Sequence, residues 1–251
     1  MPTVLRVAWL NFAFWVLFSI VTAGFIVGGF ICACVHALCV RDRRKTLRLV
    51  RRTISYYGAA TLRCGWPMVR VRYVDHAPGD TPPFVFVANH RTTSDAYVMG
   101  CLPCEAVQVV NIWPFRIPFL GRIARLAGYL SVREMPMEDF LRRGAELLSQ
   151  GVSVITFPEG TRSGSRRMGQ FHGSAFRLAI HAGARIAPLA ISGNEHIPRR
   201  GSLWLHPGKI TIDKLPALDA AQYQTLGAYK LKTRVREVIQ QQLDRMEEGK
   251  A

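Results

Sequence analysis

The sequence is poor in acidic residues, and close to its start it has a long stretch with no charged residue at all. Its 17 Asp and Glu stand against 33 Lys and Arg, which gives a formal net charge of +16. A surplus of this size indicates an anionic partner such as phospholipid headgroups, a phosphorylated substrate or nucleic acid. No nucleic-acid-binding motif is present and most basic clusters lack interleaved aromatics, so nucleic acid is disfavoured.

A disulfide framework, a metal-site spacing and internal repeats are also missing. Of the six cysteines, Cys32, Cys34 and Cys39 lie in an apolar run, where they are typical small hydrophobes. Cys101 and Cys104 form a Cys-x-x-Cys pair with no second ligand pair at zinc spacing, so buried thiols are the favoured interpretation. The histidines show no metal-site spacing either, and we expect no metal. Without repeats or low-complexity linkers, one domain is expected after the apolar run.

The uncharged stretch covers residues 7–40, which contain no Asp, Glu, Lys or Arg. As one helix it would be roughly 51 Å long, against a bilayer core of about 30 Å. Two arrangements stay open: a single tilted transmembrane helix, or a re-entrant helical hairpin with a break at Gly28-Gly29. We predict an N-terminal membrane anchor at residues 1–40 and a cytoplasmic domain at residues 41–251.

Basic residues follow the apolar run directly. Residues 41–52 hold seven basic side chains and one acidic side chain, whereas only Arg6 precedes the run. The positive-inside rule therefore predicts attachment to the inner, cytoplasmic membrane with residues from 41 onward in the cytoplasm. Residues 41–63 also place apolar side chains among the basic ones at helical spacing. This is typical either of a helix lying on an anionic leaflet or of an ordinary solvated helix.

Short apolar runs alternate with helical patterns over the rest of the chain. The predicted strands are 68–73, 84–88, 107–110, 152–157, 185–191 and 209–213, and the predicted helices are 136–150, 171–182 and 217–248. Several of the strands are continuously apolar, as in sheets that are covered on both faces. The pattern predicts an α/β fold with a central, largely parallel or mixed sheet flanked by helices.

The apolar run 84–88 leads directly into a polar segment, Asn-His-Arg-Thr-Thr-Ser-Asp, at residues 89–95. In α/β sheets, ligands bind at the carboxyl ends of strands. On a regular helix His90 and Asp95 would point about 140° apart, so they can meet only if His90 precedes the helix. Asp95 in the first helical turn can then hold one imidazole nitrogen and leave the other as a general base. Ordinary surface polar residues are the alternative interpretation of such a pair.

A second polar segment, Phe-Pro-Glu-Gly-Thr-Arg-Ser at residues 157–163, follows another predicted strand. Arg162 offers a planar fork suited to phosphate, with Arg166 and Arg167 close behind. Glu159 can orient an acceptor hydroxyl or the arginine itself. By itself this segment would be interpreted as a charged turn.

Together, the Asn-His-x-x-x-x-Asp and Phe-Pro-Glu-Gly-Thr-Arg-Ser motifs resemble the glycerolipid and lysophospholipid acyltransferase family, which includes 1-acylglycerol-3-phosphate acyltransferases. The resemblance spans residues 80–195 and includes similar blocks at 113–133 and 186–191. It implies transfer of a fatty acyl group from acyl-CoA or acyl carrier protein to the free hydroxyl of lysophosphatidate or a related lysolipid, in phospholipid biosynthesis. No cofactor is implied beyond the acyl-thioester co-substrate, and the further partners are membrane lipids.

The resemblance also implies roles for single residues. His90 is the general base and Asp95 its orienting partner. The implied substrate-binding residues are Glu159, Gly160, Thr161, Arg162, Arg133 and, near the acyl donor, Pro188. Arg133 lies one position before the family's usual basic residue, where this chain has Glu134. A lyso-aminolipid or another specialised acceptor without glycerol phosphate is therefore the alternative substrate. A non-catalytic basic protein that binds membrane surfaces is the alternative class.

Overall fold

The computed structural model describes residues 2–111, 115–116, 120–165, 167–199 and 201–248. The helices are α1 (Pro2–Val40), α2 (Arg43–Cys64), α3 (Asp95–Val98), α4 (Leu120–Ala127), α5 (Met137–Ser149), α6 (Ser174–Ala182) and α7 (Ala228–Glu248). The strands are β1 (Val69–Asp75), β2 (Val85–Ala88), β3 (Ala106–Gln108), β4 (Ser153–Thr156), β5 (Ile186–Ser192) and β6 (Gly208–Lys214). Single 3₁₀ turns lie at Met99–Cys101 and Ala220–Gln222.

The strands form a six-stranded sheet in the order β1-β6-β5-β2-β4-β3. Strand β2 is parallel to both β4 and β5, β3 is parallel to β4, and β6 is antiparallel to β5. Strands β2, β4 and β5 are buried along their whole length, as their largely apolar sequences predict. The predicted α/β fold with a mixed sheet and flanking helices is confirmed, and each predicted strand overlaps an observed one.

The C-terminal helix is shorter than the sequence pattern predicted, because it begins at Ala228 and not at residue 217. The residues before Ala228 form a short bridge to a strand and a 3₁₀ turn instead of helix. The main-chain N–H and C=O of Leu218 pair with Ile186 at 2.8 and 3.0 Å, and Asp219 caps a 3₁₀ turn. Pairing with a strand overrides the local helical preference. Helix α6 likewise begins at Ser174, three residues later than predicted.

The chain divides into two compact units. The first comprises Met1–Arg72, Thr92–Pro103 and Gly193–Ile210, and the second comprises Tyr73–Arg91, Cys104–Ser192 and Thr211–Ala251. Helix α1 ends at Val40, where the membrane anchor was predicted to end. The assignment of residues 1–40 and 41–251 to separate domains stays a prediction.

In the first unit, α1 and α2 form an antiparallel helical hairpin. The hydroxyls of Thr22 and Tyr57 lie 3.0 Å apart, and Nδ1 of His36 lies 3.0 Å from the hydroxyl of Thr46. Because the earlier residue of α1 meets the later residue of α2, the two helices run side by side in opposite directions. The basic helix α2 therefore accompanies the apolar helix α1 over much of its length.

Helix α1 runs without interruption through Gly28-Gly29, so the break that one of the predicted arrangements required is absent. A Cβ at Gly29 would lie 3.1 Å from Cγ2 of Thr53, so this glycine serves a close approach of α2 instead. By length and composition, Val4–Val40 is apolar enough to cross a membrane. Much of its surface away from α2 is exposed and apolar, as at Leu5, Trp9, Phe12, Ile20, Phe30 and Leu38.

Near its N terminus, α1 carries a buried polar residue, Asn11. Its side chain donates to the main-chain oxygen of Leu205 at 2.9 Å and accepts from the N–H of the same residue at 2.8 Å. The indole of Trp15 donates to the main-chain oxygen of Leu203 at 3.1 Å. These bonds hold the segment Gly193–Ile210 against the first part of α1.

The second unit has a hydrophobic core between the sheet and helices α5, α6 and α7. Helix α7 contributes a buried stripe at four-residue spacing, formed by Leu231, Val235, Ile239 and Leu243. Helix α6 ends at Gly183, whose φ of 58° is the left-handed conformation that closes many helices. This core supports the carboxyl ends of β2, β4 and β5.

Candidate active site

Asn89 joins the ends of two strands in the second unit. Its side chain donates from Nδ2 to the main-chain oxygen of Ile191 at 2.9 Å and accepts from the Ile191 N–H at 2.8 Å. The residue is fully buried. Such a two-point contact fixes the chain where β2 ends, immediately before His90.

The main chain of His90 is held on both sides by the segment 157–163. Its N–H donates to Oε1 of Glu159 at 2.7 Å, and its C=O accepts the N–H of Ser163 at 2.9 Å. His90 is partly buried, and its imidazole packs against the Phe157 ring at a tilt of 31°, with centroids 4.5 Å apart. The two motifs recognised in the sequence are therefore in direct contact around His90.

The Glu159 carboxylate holds two main-chain segments together, a role that the sequence did not predict. The residue is 5% exposed, and while Oε1 accepts the His90 N–H, Oε2 accepts the N–H of Gly169 at 2.8 Å. A buried carboxylate that accepts main-chain amides makes strong, charge-assisted bonds. The sequence offered no signal for this, because the partners are main-chain groups that every residue type carries.

Gly160 adopts a conformation that few other residues tolerate, with φ of 68°. A Cβ there would also lie 3.0 Å from the ring of His172. The main-chain N–H of His172 donates to the main-chain oxygen of Pro158 at 2.7 Å. Thr161 is exposed and Arg162 is partly buried. The turn therefore presents Thr161 and Arg162 at the surface while its base is fixed.

Asp95 lies in the first unit, at the first residue of α3, as the sequence predicted. Its side chain is fully buried. Oδ2 accepts the main-chain N–H of Thr92 at 2.9 Å, and Oδ1 accepts from Nδ2 of Asn194. His90 precedes this helix, which meets the condition that the five-residue spacing imposed.

The remaining predicted substrate residues lie in different surroundings. Pro188 is buried in the middle of β5, opposite Val87 of β2. Arg133 is exposed in a turn after the block that resembles the family's second motif. Its neighbour Glu134 pairs with Arg125 at 3.0 Å, so an acidic side chain engaged with an arginine stands where the family usually has a base. Trp113, Pro118 and Arg166, which belonged to the predicted motif blocks, lie outside the described residues.

The thiols and the phenol near these segments are poorly ionised. Burial raises the pKa of the Cys101 and Cys104 thiols, which supports their interpretation as buried thiols. Burial, with Tyr57 nearby, raises the pKa of Tyr97 to about 12. Within the described ranges, no group of three or more His, Cys, Asp or Glu side chains is arranged to hold a metal ion.

The second unit therefore has a fixed histidine beside a glycine-arginine turn, and the first unit has a buried aspartate in the first turn of a helix. Residues 68–192 match the family model described as Acyltransferase. The chain belongs to this family, which includes the 1-acyl-sn-glycerol-3-phosphate acyltransferases.

Several curated proteins are similar to this domain. A chloroplastic 1-acyl-sn-glycerol-3-phosphate acyltransferase of Arabidopsis thaliana is 31% identical over 137 residues, 53% of this chain and 38% of that protein. The 1-acyl-sn-glycerol-3-phosphate acyltransferase of Escherichia coli (strain K12) is 27% identical over 167 residues, 63% of this chain and 66% of that protein. A lyso-ornithine lipid O-acyltransferase of Pseudomonas aeruginosa is 31% identical over 146 residues, 57% of this chain and 55% of that protein. The chain thus spans less than two thirds of each of these relatives.

The fold has a counterpart among solved structures. The crystal structure of the 1-acyl-sn-glycerophosphate acyltransferase PlsC from Thermotoga maritima superposes with a TM-score of 0.73 and 23% sequence identity. The match covers 96% of this chain and 97% of that one. The two proteins therefore share the fold.

Proposed function

We propose that the protein transfers a fatty acyl group from acyl-CoA or acyl carrier protein to the free hydroxyl of a lysolipid. The observation that carries this proposal is the fixed main chain of His90, whose N–H and C=O are both bonded to the motif segment 157–163. A general base works best when its position is set before the substrate arrives. Lysophosphatidate is the first candidate acceptor, because several relatives carry its acyltransferase name.

In the proposed reaction, His90 takes the proton of the acceptor hydroxyl while that oxygen attacks the thioester carbonyl. Asp95, assigned by the motif spacing, stabilises the imidazolium, and main-chain amides stabilise the oxyanion. The C–S bond then breaks as the ester forms, and the leaving thiolate takes up the proton. The thioester is already activated, so the proposal includes direct transfer without an acyl-enzyme and without a metal or other cofactor. Glu159, Gly160, Thr161 and Arg162 form the acceptor segment, with Arg133 and Pro188 as further substrate residues.

A lyso-aminolipid is the second candidate acceptor. Arg133 is exposed and one position displaced, and Glu134 pairs with Arg125. This region therefore offers less positive charge to a glycerol phosphate than the family's usual basic residue would. One relative is named a lyso-ornithine lipid O-acyltransferase, which gives this candidate a concrete form.

A donor and acceptor panel tests the proposal. Membranes that contain the wild-type protein are incubated with labelled acyl-CoA or acyl carrier protein donors and with lysophosphatidate, lyso-ornithine lipid, other lysolipids or glycerol 3-phosphate. We expect labelled phosphatidate. Labelled ornithine lipid alone would favour the second acceptor, and absence of every product would favour a non-catalytic membrane-binding protein.

For the membrane attachment, we propose that the α1–α2 hairpin lies along the cytoplasmic leaflet and does not span the bilayer. Helix α2 follows α1 closely, and it carries basic residues throughout its first half, including Arg43, Arg44 and Lys45. If α1 crossed the bilayer, α2 would enter it too, at about 2.5–3.5 kcal/mol for each basic residue at the centre. An interfacial hairpin leaves these side chains at anionic headgroups and the exposed apolar face of α1 in the lipid.

Labelling from the two sides of the membrane distinguishes the arrangements. In a background without native cysteines, Lys45→Cys marks the tip of the hairpin and Ser202→Cys marks the segment held by Asn11 at the other end of α1. With a membrane-impermeant thiol reagent, we expect both to react in sealed inverted vesicles and neither in intact spheroplasts. Labelling of the two sites from opposite sides would show that α1 spans the bilayer. Detergent-permeabilised vesicles, in which both sites must react, are the control.

A further inference from the structure

A cluster of buried polar side chains surrounds Asp95 in the first unit. Asn194 is fully buried, and its Nδ2 donates to Oδ1 of Asp95 and lies 3.2 Å from Oγ1 of Thr92 and 3.3 Å from Oγ of Ser94. The other carboxylate oxygen of Asp95 accepts the N–H of Thr92 at 2.9 Å. Both oxygens are therefore held, and one of them is held by a residue 99 positions later in the chain.

The donor and acceptor character of the amide atoms fixes which end of the Asn194 side chain faces Asp95. If the amide were reversed, Oδ1 would lie against a carboxylate oxygen, and neither atom carries a proton. The observed orientation directs the two amide hydrogens toward three oxygen atoms. Asn194 is therefore a donor to Asp95.

The opposite end of the same side chain has no such partner. Oδ1 of Asn194 is buried and makes no hydrogen bond to any residue that the structure describes. An unpaired buried carbonyl destabilises a fold, and an apolar side chain of similar size would avoid that loss. Residues that break a local rule in this way are expected at functional sites, where one particular group is needed. Here that group is the Nδ2 donor.

We propose that Asn194 is a positioning residue that holds the Asp95 carboxylate in one orientation for the transfer reaction. The inference rests on the proposed function, because it acts through the role given there to Asp95. Asn194 lies outside both recognised motifs, in the segment that follows β5. Its hydrogen bond therefore ties Asp95 to a segment outside the short helix in which Asp95 itself lies.

Two substitutions that pack differently test the proposal. Asn194→Leu fills a similar volume without a donor, whereas Asn194→Ser leaves space and has a hydroxyl too close to the main chain to replace Nδ2. We expect both to lower kcat by about 10- to 100-fold, as supporting residues of this kind do, with little change in KM for donor or acceptor. A similar loss in both variants follows the missing donor and not the filled volume, because one variant fills the space and the other leaves it open. The serine variant retains the test if the leucine variant does not fold.

Thr156→Val is the matched control, because it removes another buried hydrogen bond, in which the hydroxyl donates to the main-chain oxygen of Phe86 at 2.8 Å. It should lower the unfolding temperature and leave kcat near the wild-type value. In an Asp95→Asn background, Asn194→Leu should add almost no further loss, since it acts through Asp95. Losses that multiply there, or Asn194 variants with wild-type kcat, would overturn the proposal. A fully active His90→Ala protein would contradict the proposed function itself. An inactive His90→Ala protein together with fully active Asn194 variants would contradict only the positioning role of Asn194.

Discussion

Replacing His90 with alanine is expected to lower kcat by about 1000-fold and to leave the protein folded. The main-chain bonds that hold this residue, from its N–H to Glu159 and from Ser163 to its C=O, do not involve the imidazole. Alanine keeps both bonds. The substitution therefore removes the proposed base and its ring contact with Phe157 while the main-chain bonds remain.

The measurement is the initial rate of ester formation with the acceptor that the panel identifies, together with the thermal unfolding of wild type and variant. KM should change little, because the lost interaction belongs to the transition state. His181→Ala, which removes an exposed histidine on α6 of the same unit, is the control and should retain full activity. A His90→Ala protein with a substantial share of the wild-type kcat would contradict general-base catalysis by this residue.

The neighbourhood of the two motifs was predictable from the sequence because buried parallel strands leave little freedom. Strands β2 and β4 are buried on both faces, and Val87 pairs with Thr156 near their carboxyl ends. Segments that leave these ends must begin at the same edge of the sheet. The spacing argument also predicted that His90 precedes a helix that starts near Asp95.

The contacts that fix these segments were not predictable. Glu159 bonds to main-chain amides, and Asn194 is a single amide residue in a loop, so neither has a periodicity or motif that identifies its partner. The predicted start of the C-terminal helix was wrong for a related reason, since Leu218 pairs with Ile186 across a long separation in sequence. Local preference contains no information on such tertiary pairing.

The hairpin shows the same limit of local reasoning on a larger scale. Residues 7–40 are long and apolar enough for a transmembrane helix, and sequence alone left a span and a broken hairpin open. The structure has an unbroken α1 whose partner is the basic helix α2, joined through Thr22 and Tyr57. The length of an apolar stretch indicates only that the helix prefers lipid. The charge of the helix packed beside it limits how deeply the pair can enter the bilayer.

Glu159→Ala is expected to lower kcat by about 100-fold and also to destabilise the second unit. Hydrogen bonds to a charged group contribute about 1.5–3 kcal/mol each, and this substitution removes the carboxylate that accepts the N–H groups of His90 and Gly169. Glu159 is a buried residue, so water replaces its carboxylate poorly. Steady-state kinetics and chemical denaturation measure the two effects, and Glu237→Ala, an exposed acid within α7, should change neither.

The kinetic parameter that changes shows whether Glu159 supports the main chain or binds the lysolipid acceptor. Family resemblance implies acceptor binding, in which case KM for the acceptor should rise more than kcat falls. The bonds to His90 and Gly169 favour a brace, for which kcat falls and KM for the acceptor stays close to the wild-type value. Glu159→Gln should then lie between wild type and alanine, because its amide retains one acceptor oxygen but turns an NH₂ toward the other main-chain N–H. A large rise in acceptor KM with normal stability would show instead that Glu159 binds the substrate, and the fixed position of His90 would then need another cause.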